Sequence, residues 1–421
     1  MLQRVAILHY ASPPIIGGVE SMIGYQAQGL SQAGVHVRVI SGLGEPLPEP
    51  IETHFYPLFS SNHPDVLSLK AELDAGQVTD AFDSLRDQIL AYLDEALADC
   101  DVLIAHNIHT MNKNLALTAA LHQYGETHPI RQIAYCSDLA ATNPQYQAEF
   151  YPGYPWNLLR EAWPGVHYVT ISPARQAELA TLLGLEAEAV TVITPGIAVD
   201  TFWGWTETTR SLVDEFALMD ADLILLAPMR LTRRKNVEMA LQILAALRQQ
   251  TAIDCRLIVT GPPGPHNPSN LAYLENLLSL RQTLGLEPHA HFLYAAGPDT
   301  SVPLRIDDPT MSNLYQLSDG LLFPSTQEGF GIPILEAGLA RLPIFCADIP
   351  PLRHTAQADA FYFHPAESKP TEIAAGIWST LSQSSAYRLS LRVYRLSLRV
   401  RHNYRWDQII TGQWLPLMEA L

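Results

Sequence analysis

Lysine is scarce in this chain. Lys70, Lys113, Lys235 and Lys369 are its only four, and lysine and arginine together number 26 against 43 acidic residues. The resulting formal net charge of −17 argues against nucleic acid as a partner, because an acidic body repels a polyphosphate strand. No basic stripe runs through the body of either half to overcome that repulsion. Cysteine is equally sparse: Cys100, Cys136, Cys255 and Cys346 are dispersed, without the paired spacing of a zinc site or a redox centre. No run approaches the roughly 18 apolar residues that a membrane helix needs. The apolar stretch from Val5 is short and soon meets Pro13 and Pro14, so it reads as a first strand rather than a signal sequence. These absences point to a soluble cytoplasmic protein with free thiols. Two nucleotide signatures are also missing. The Gly17-Gly18 pair lacks the G-x-G-x-x-G spacing just after a strand, which counts against an oxidoreductase, and the absence of a P-loop counts against a kinase.

What is present is a long, well-patterned chain. At 421 residues it exceeds one core and implies two domains of about 200 residues each. A hydrophobic share of 48% with 16% charged residues describes a compact globular protein. Strand-like apolar runs alternate with amphipathic segments, the pattern of parallel sheets covered by helices. In the first half the predicted strands are Val5 to His9, Val35 to Ile40, Val102 to Ala105, Gln132 to Cys136, Tyr168 to Ile171 and Val190 to Ile193. In the second they are Leu223 to Ala227, Arg256 to Thr260, His291 to Tyr294, Gly320 to Phe323 and Leu342 to Cys346. The breaker-rich stretch from Pro195 has no period. The predicted organisation is therefore a first α/β domain over 1–196, a link over 197–221, a second α/β domain over 222–385 and C-terminal helices over 386–421.

The sharpest functional signal is Pro324-Ser325-Thr326-Gln327-Glu328-Gly329-Phe330-Gly331-Ile332-Pro333-Ile334-Leu335-Glu336-Ala337. Its glycines allow a tight turn and leave backbone N–H groups uncovered, and the apolar run from Ile332 begins a helix. Such a mouth favours an anion, because free N–H donors and the positive end of the helix dipole both face it. Glu328 then lies within reach of sugar hydroxyls and Glu336 of a ribose. Upstream, a strand ends at Arg230, and Arg233-Arg234-Lys235-Asn236 opens a helical pattern. Positive charge at a helix start opposes the dipole unless an anion sits there, so a diphosphate cradle is the favoured reading over a solvated basic turn. The loop from Gly261 to His266 follows another strand and is either a structural turn or a ligand loop. Asp220-Ala221-Asp222 spells a metal-binding D-x-D but stands before a strand without neighbouring acids, and reads as a turn.

At this point the chain resembles the retaining nucleotide-sugar glycosyltransferases of family 4, which have the two-domain GT-B fold. The matching residues are the Gly17-Gly18-Val19-Glu20 loop, Arg230 with Lys235, and the Glu328 to Glu336 segment. The resemblance implies two Rossmann-like domains facing a cleft, with the last helix crossing back to the first domain. It implies transfer of a hexose from a nucleoside-diphosphate sugar to a hydroxyl acceptor, without cofactor or metal and with retained anomeric configuration. Arg230, Lys235 and the amides around Phe330 and Gly331 would stabilise the departing diphosphate. Gly17, Gly18, Gly261 and Ile332 would complete the donor site. His106 matches the histidine that in this family contacts the donor sugar and the reaction centre, although a structural histidine remains open there. His109 and Asp138 are candidates for the acceptor side, which would take a small molecule, a glycan or a lipid. Ser137 stands where many relatives carry histidine, which puts an acid/base role at that spot in doubt. A sugar-nucleotide epimerase of the same fold and a catalytically silent relative are the alternatives.

Tyr387 to Val393 repeats letter for letter as Tyr394 to Val400. Seven added residues preserve helical register to about 20°, so the repeat predicts one basic amphipathic helix. Contact of 387–401 with an anionic membrane surface or lipid carrier is one reading; a duplication that merely lengthens a helix is the favoured one.

Overall fold

A computed structural model describes residues 4–263, 269–296, 304–383 and 388–421. Residues 264–266 of the Gly261 loop and Tyr387, the first residue of the repeat, lie outside the described residues. The chain divides into two compact units, Met1–Ala198 with Asn403–Leu421, and Val199–His402.

The first unit carries strands β1 (Arg4–His9), β2 (His36–Ser41), β3 (Glu52–Phe55), β4 (Val102–His106), β5 (Arg131–Cys136), β6 (Val166–Thr170) and β7 (Val190–Val192). They form one sheet in the order β3-β2-β1-β4-β5-β6-β7. Every strand pair in it is parallel. Helices α1 (Gly18–Gln32), α2 (Pro64–Asp74), α3 (Asp80–Leu97), α4 (Leu115–Thr127) and α5 (Pro173–Leu183) cover it. The terminal helical segments Trp406–Ile409, Ile410–Trp414 and Leu415–Ala420 join this unit's core, Trp414 meeting Tyr135 edge-on at 5.2 Å between ring centroids. The sheet is buried on both faces, as parallel sheets must be: Val5 and Ile7 pack into one hydrophobic layer, Ala6 and Leu8 into another.

In the second unit α6 (Val199–Trp203) and α7 (Glu207–Glu215) precede β8 (Leu223–Ala227), α8 (Val237–Thr251), β9 (Cys255–Val259) and α9 (Ser269–Thr283). They are followed by β10 (Ala290–Phe292), α10 (Asp308–Leu317), β11 (Gly320–Phe323), α11 (Ile332–Leu339), β12 (Ile344–Ala347), α12 (Pro350–Ala356), β13 (Phe361–Phe363), α13 (Pro370–Gln383) and α14 (Arg388–Asn403). The six strands, again parallel, run in the order β10-β9-β8-β11-β12-β13.

Two expectations change, and that of a single helix over the repeat is met from Arg388 onward. The segment 197–221 is not irregular: Val199, Trp205, Leu212 and Val213 are buried in the second unit's core, and the Thr206 hydroxyl accepts from the Thr209 N–H at 3.0 Å to cap α7. Breakers hid a helix whose apolar positions are few but share a face. Strands β3 and β13 are additional. Each is an edge strand, short and only partly buried, so neither shows the continuous apolar run of an interior parallel strand. From Arg388 onward the repeat lies within the single helix α14.

In both sheets the chain reverses its winding direction once, between β1 and β4 in the first unit and between β8 and β11 in the second. Ligands of open α/β sheets bind beyond the carboxyl ends of strands at such points. The residues that follow these four strands therefore border the candidate ligand sites.

Candidate functional site

In the second unit the loops after β8 and β11 lie side by side because their strands are neighbours. A tight turn at Arg233–Lys235 ends on Asn236, whose φ of 54° is the left-handed conformation that asparagine tolerates. That turn exposes Arg234 and folds Lys235 inward, its ammonium 5.1 Å from the centroid of the Phe323 ring. The β11 loop is tied to the turn by the Thr326 N–H, which donates to the Arg234 carbonyl at 2.8 Å. Lys235 consequently reaches Glu328 in a direct ion pair, and Arg234 approaches the other carboxylate oxygen at 3.4 Å. The Glu328 side chain is only 8% exposed, so its orientation is set before any ligand arrives. Burial draws the Lys235 ammonium below its usual range, with Arg234 and Arg230 adding like charge and Glu328 opposing them. Arg230 is exposed and has no ion-pair partner among the described residues. Two cations thus pair with one carboxylate, and a third, Arg230, adds its like charge to Lys235.

The mouth of α11 completes this arrangement. Its N-cap is Gly331 at φ 93°, and no side chain caps the first turn. Glu336, one turn along, is held by the Tyr315 hydroxyl, which donates to Oε2 at 2.6 Å. Phe330 and Ile332 are both exposed beside the mouth. Gly261 has a packing reason to be glycine: a Cβ there would stand 2.1 Å from the Met229 carbonyl oxygen. The Leu231 N–H donates to the Pro262 carbonyl at 2.9 Å, so this loop braces the backbone beside Arg230.

The first unit holds a cavity of about 660 Å³, well within the range of small-molecule sites. It opens at the β1/β4 reversal and is lined by His9, Glu20, Asn107, Lys113, Asp138, Tyr146, Arg175 and Glu178 among others. Asn107, at φ 59°, aims its side-chain oxygen at the N–H groups of Ser137 and Asp138, at 2.8 and 3.2 Å, and so fixes the loop after β5. Arg175 pairs with Glu178 at 2.6 Å and stands 3.9 Å from Asp138, whose side chain is 57% exposed.

Asp138 is on the wall, but neither expected histidine is. His106 is wholly buried, because residues 102, 104 and 106 of β4 all face the α1 side of the sheet. There its Nε2 donates to Gln26 Oε1 at 2.8 Å, and burial holds the ring well below the usual imidazole range. His109 is buried against Trp163, with ring centroids 4.2 Å apart, and its pKa is pushed down to about 3. Both rings are packing elements in this conformation, and the histidine that reaches the cavity is His9. Ser137 is buried as well. Gly17 caps α1 in extended conformation, with the Glu20 carboxylate folded against it, while Gly18 has open space where a side chain would be.

Against this geometry, the family model described as Glycosyltransferase Family 4 matches residues 16–201, and the model described as Glycosyl transferases group 1 matches residues 211–392. The chain belongs to the group 1, family 4 glycosyltransferases. This glycosyltransferase is 24% identical over 278 residues to mannosylglucosylglycerate synthase of Petrotoga mobilis, covering 60% of this chain and 61% of that protein. It is 26% identical over 260 residues to D-inositol 3-phosphate glycosyltransferase of Rhodococcus jostii, covering 59% and 46%. The matched regions thus span less than two thirds of these relatives. Among solved structures, a sucrose-phosphate synthase from Thermosynechococcus elongatus overlays with a TM-score of 0.39 at 17% identity, covering 99% of each chain.

Several residues of this candidate site escaped the sequence. Arg234 read as one of a basic run, Tyr315 lies on a helix with no motif, and Asn107 and Arg175 show their roles only through partners. His9 carried a usable signal, since it is the last residue of a central strand at the reversal point. Local glycine chemistry also yields a testable contrast. Gly331→Ala combines a left-handed φ with a Cβ only 2.6 Å from Leu352, whereas Gly329 has nothing within 4 Å. Gly331→Ala is expected to cost about 1–3 kcal/mol in urea unfolding, and Gly329→Ala to leave stability near that of the wild type.

Proposed function

We propose that the chain transfers a hexose from a nucleoside-diphosphate sugar to a hydroxyl acceptor with retention of configuration and without a metal. The observation that carries the donor assignment is the excess of cations at the α11 mouth. Arg234 and Lys235 hold one carboxylate there with Arg230 adding like charge to Lys235, and an incoming diphosphate would balance the excess. Charge develops on the diphosphate as the glycosidic bond breaks, and fixed cations and amides stabilise it without reorganising. Glu328, oriented by Lys235, accepts from the sugar's hydroxyls, and Glu336, held by Tyr315, accepts from the ribose. Phe330 and Ile332 border the donor in the second unit, and Gly261 supports Arg230 from behind. The acceptor occupies the first unit's cavity beside Asp138. The leaving phosphate oxygen takes the acceptor's proton on the same face, which accounts for retention.

A mannosyl group appears in the names of mannosylglucosylglycerate synthase and of the Escherichia coli mannosyltransferase WbdA, the latter 37% identical over 85 residues that cover 20% of this chain and 10% of that protein. GDP-mannose therefore stands first among donors to test, beside UDP- and ADP-glucose. One of these donors is expected to raise the melting temperature equally with and without chelator, and the shift to disappear in Arg230→Ala. Product analysis then separates transfer from epimerisation of the donor. A strict magnesium requirement, or no stabilisation by any nucleotide sugar, would overturn the proposal.

A further inference from the structure

We infer that His9 is the acceptor-positioning residue: its Nε2 receives a hydrogen bond from an acceptor hydroxyl beside the one that attacks the sugar, whose own proton stays free for the leaving phosphate. The inference rests on the proposed transfer and deepens its acceptor side. His9 ends β1 at the reversal point and forms part of the cavity wall. Its Nδ1 lies 2.8 Å from the His106 carbonyl oxygen. A carbonyl only accepts, so Nδ1 carries the proton and Nε2 keeps its lone pair. Contact geometry leaves the ring little freedom. The Tyr10 ring is 4.9 Å away, the His106 ring stands 6.4 Å away at 70°, and His9 as a whole is 6% exposed. An imidazole fixed in one tautomer beside a polar cavity is a preorganised acceptor for a single O–H.

Other acceptors on the wall are less well suited. Glu178 is engaged by Arg175 and by the Thr142 hydroxyl, and the Asn107 oxygen is spent on two backbone N–H groups. Asp138 is largely exposed and stands 3.9 Å from Arg175. The buried position also explains the role of His106. Gln26 holds the His106 ring, and the carbonyl of the same residue holds His9, so the histidine singled out by the family pattern acts through its backbone in this chain.

The charge state agrees with this geometry. Burial lowers the His9 pKa, while the His106 carbonyl and the Glu20 carboxylate pull it upward. The groups facing His9 are Tyr10 on its own strand segment, Glu20 from α1 and His106 from β4. Lys113, Asp138, Arg175 and Glu178 complete the cavity's charged wall. Protonation at Nε2 converts the acceptor into a donor, so transfer should fall as pH drops through the His9 pKa, below the ordinary imidazole range.

The test uses two variants of the whole chain. His9→Asn places an amide N–H where Nδ1 was and keeps the bond to His106, but removes the group at the Nε2 position. His9→Gln restores an amide oxygen near that position. Transfer to D-glucose, D-glycerate and myo-inositol is measured beside acceptor-free hydrolysis of the donor that stabilises the wild type. His9→Asn is expected to melt as the wild type and to hydrolyse donor at its rate. It should lose about 10²-fold in kcat/KM for the acceptor, and its remaining transfer should lack the acid limb. His9→Gln should regain part of the rate without that limb. Equal transfer by wild type and His9→Asn would sink the inference while leaving the transferase reading intact, as would joint loss of transfer and hydrolysis. A wild-type chain that transfers to none of these acceptors removes the reading beneath it, and the inference falls too.

Discussion

Replacing Lys235 with alanine is expected to abolish donor-induced stabilisation and to lower transfer by about 10²–10³-fold, the scale of losing one fixed donor to a developing anion. Two effects coincide in this substitution. The diphosphate loses a cation, and Glu328, whose side chain is 8% exposed, retains only Arg234 at 3.4 Å. A buried carboxylate that loses its closest partner is destabilised by more than the pair contributed. The double variant Lys235→Ala/Glu328→Gln should therefore recover stability in urea unfolding but not transfer. Lys235→Arg should rescue poorly, since a planar guanidinium does not fill the place of a compact ammonium above the Phe323 ring. Wild-type donor affinity in Lys235→Ala would remove the diphosphate from this position.

The second large effect concerns stability and lies away from the candidate site. Arg401, only 2% exposed, spans both oxygens of Asp319 at 3.2 Å each. Asp319 in turn accepts from the Ile224 N–H at 2.8 Å, while its own N–H donates to the Ile224 carbonyl at 2.8 Å. One carboxylate thus joins the start of β8, the start of β11 and the end of α14. Burial holds the Asp319 carboxyl above its usual range even with Arg401 opposing that shift. Arg401→Ala is expected to cost about 3–5 kcal/mol in equilibrium unfolding. Arg401→Ala/Asp319→Asn should recover much of it, because asparagine can still accept from Ile224 without leaving a buried charge. A loss below about 1 kcal/mol, the range of exposed pairs, would show that the pair is hydrated in solution. The residue sits one position beyond the second copy of the repeated heptad, so the pair anchors the helix that carries the repeat.

The interior of each sheet was legible in the sequence because buried parallel strands are continuous apolar runs. Leu223 to Ala227 and Gly320 to Phe323 match the structure residue for residue. The edges were not, since Glu52–Phe55 and Phe361–Phe363 are short and face partly outward. Strands β4 and β5 were legible too, but the motif around His106 does not say which side of the sheet the ring faces. Strand alternation placed that ring beneath α1, and the cavity wall fell to His9 on the neighbouring strand.

By itself the sequence determined the family, the alternation of strands and helices, and the chemistry gathered between Glu328 and Glu336. Motifs and apolar periods are local, and they act over the few residues that sequence spacing can express. Tertiary structure alone decided that Lys235 would hold Glu328, that Tyr315 would hold Glu336, and that His9 rather than His106 would meet the cavity. Each of those outcomes depends on which strands become neighbours and which face a side chain takes, and both are settled when the sheet buries its two faces.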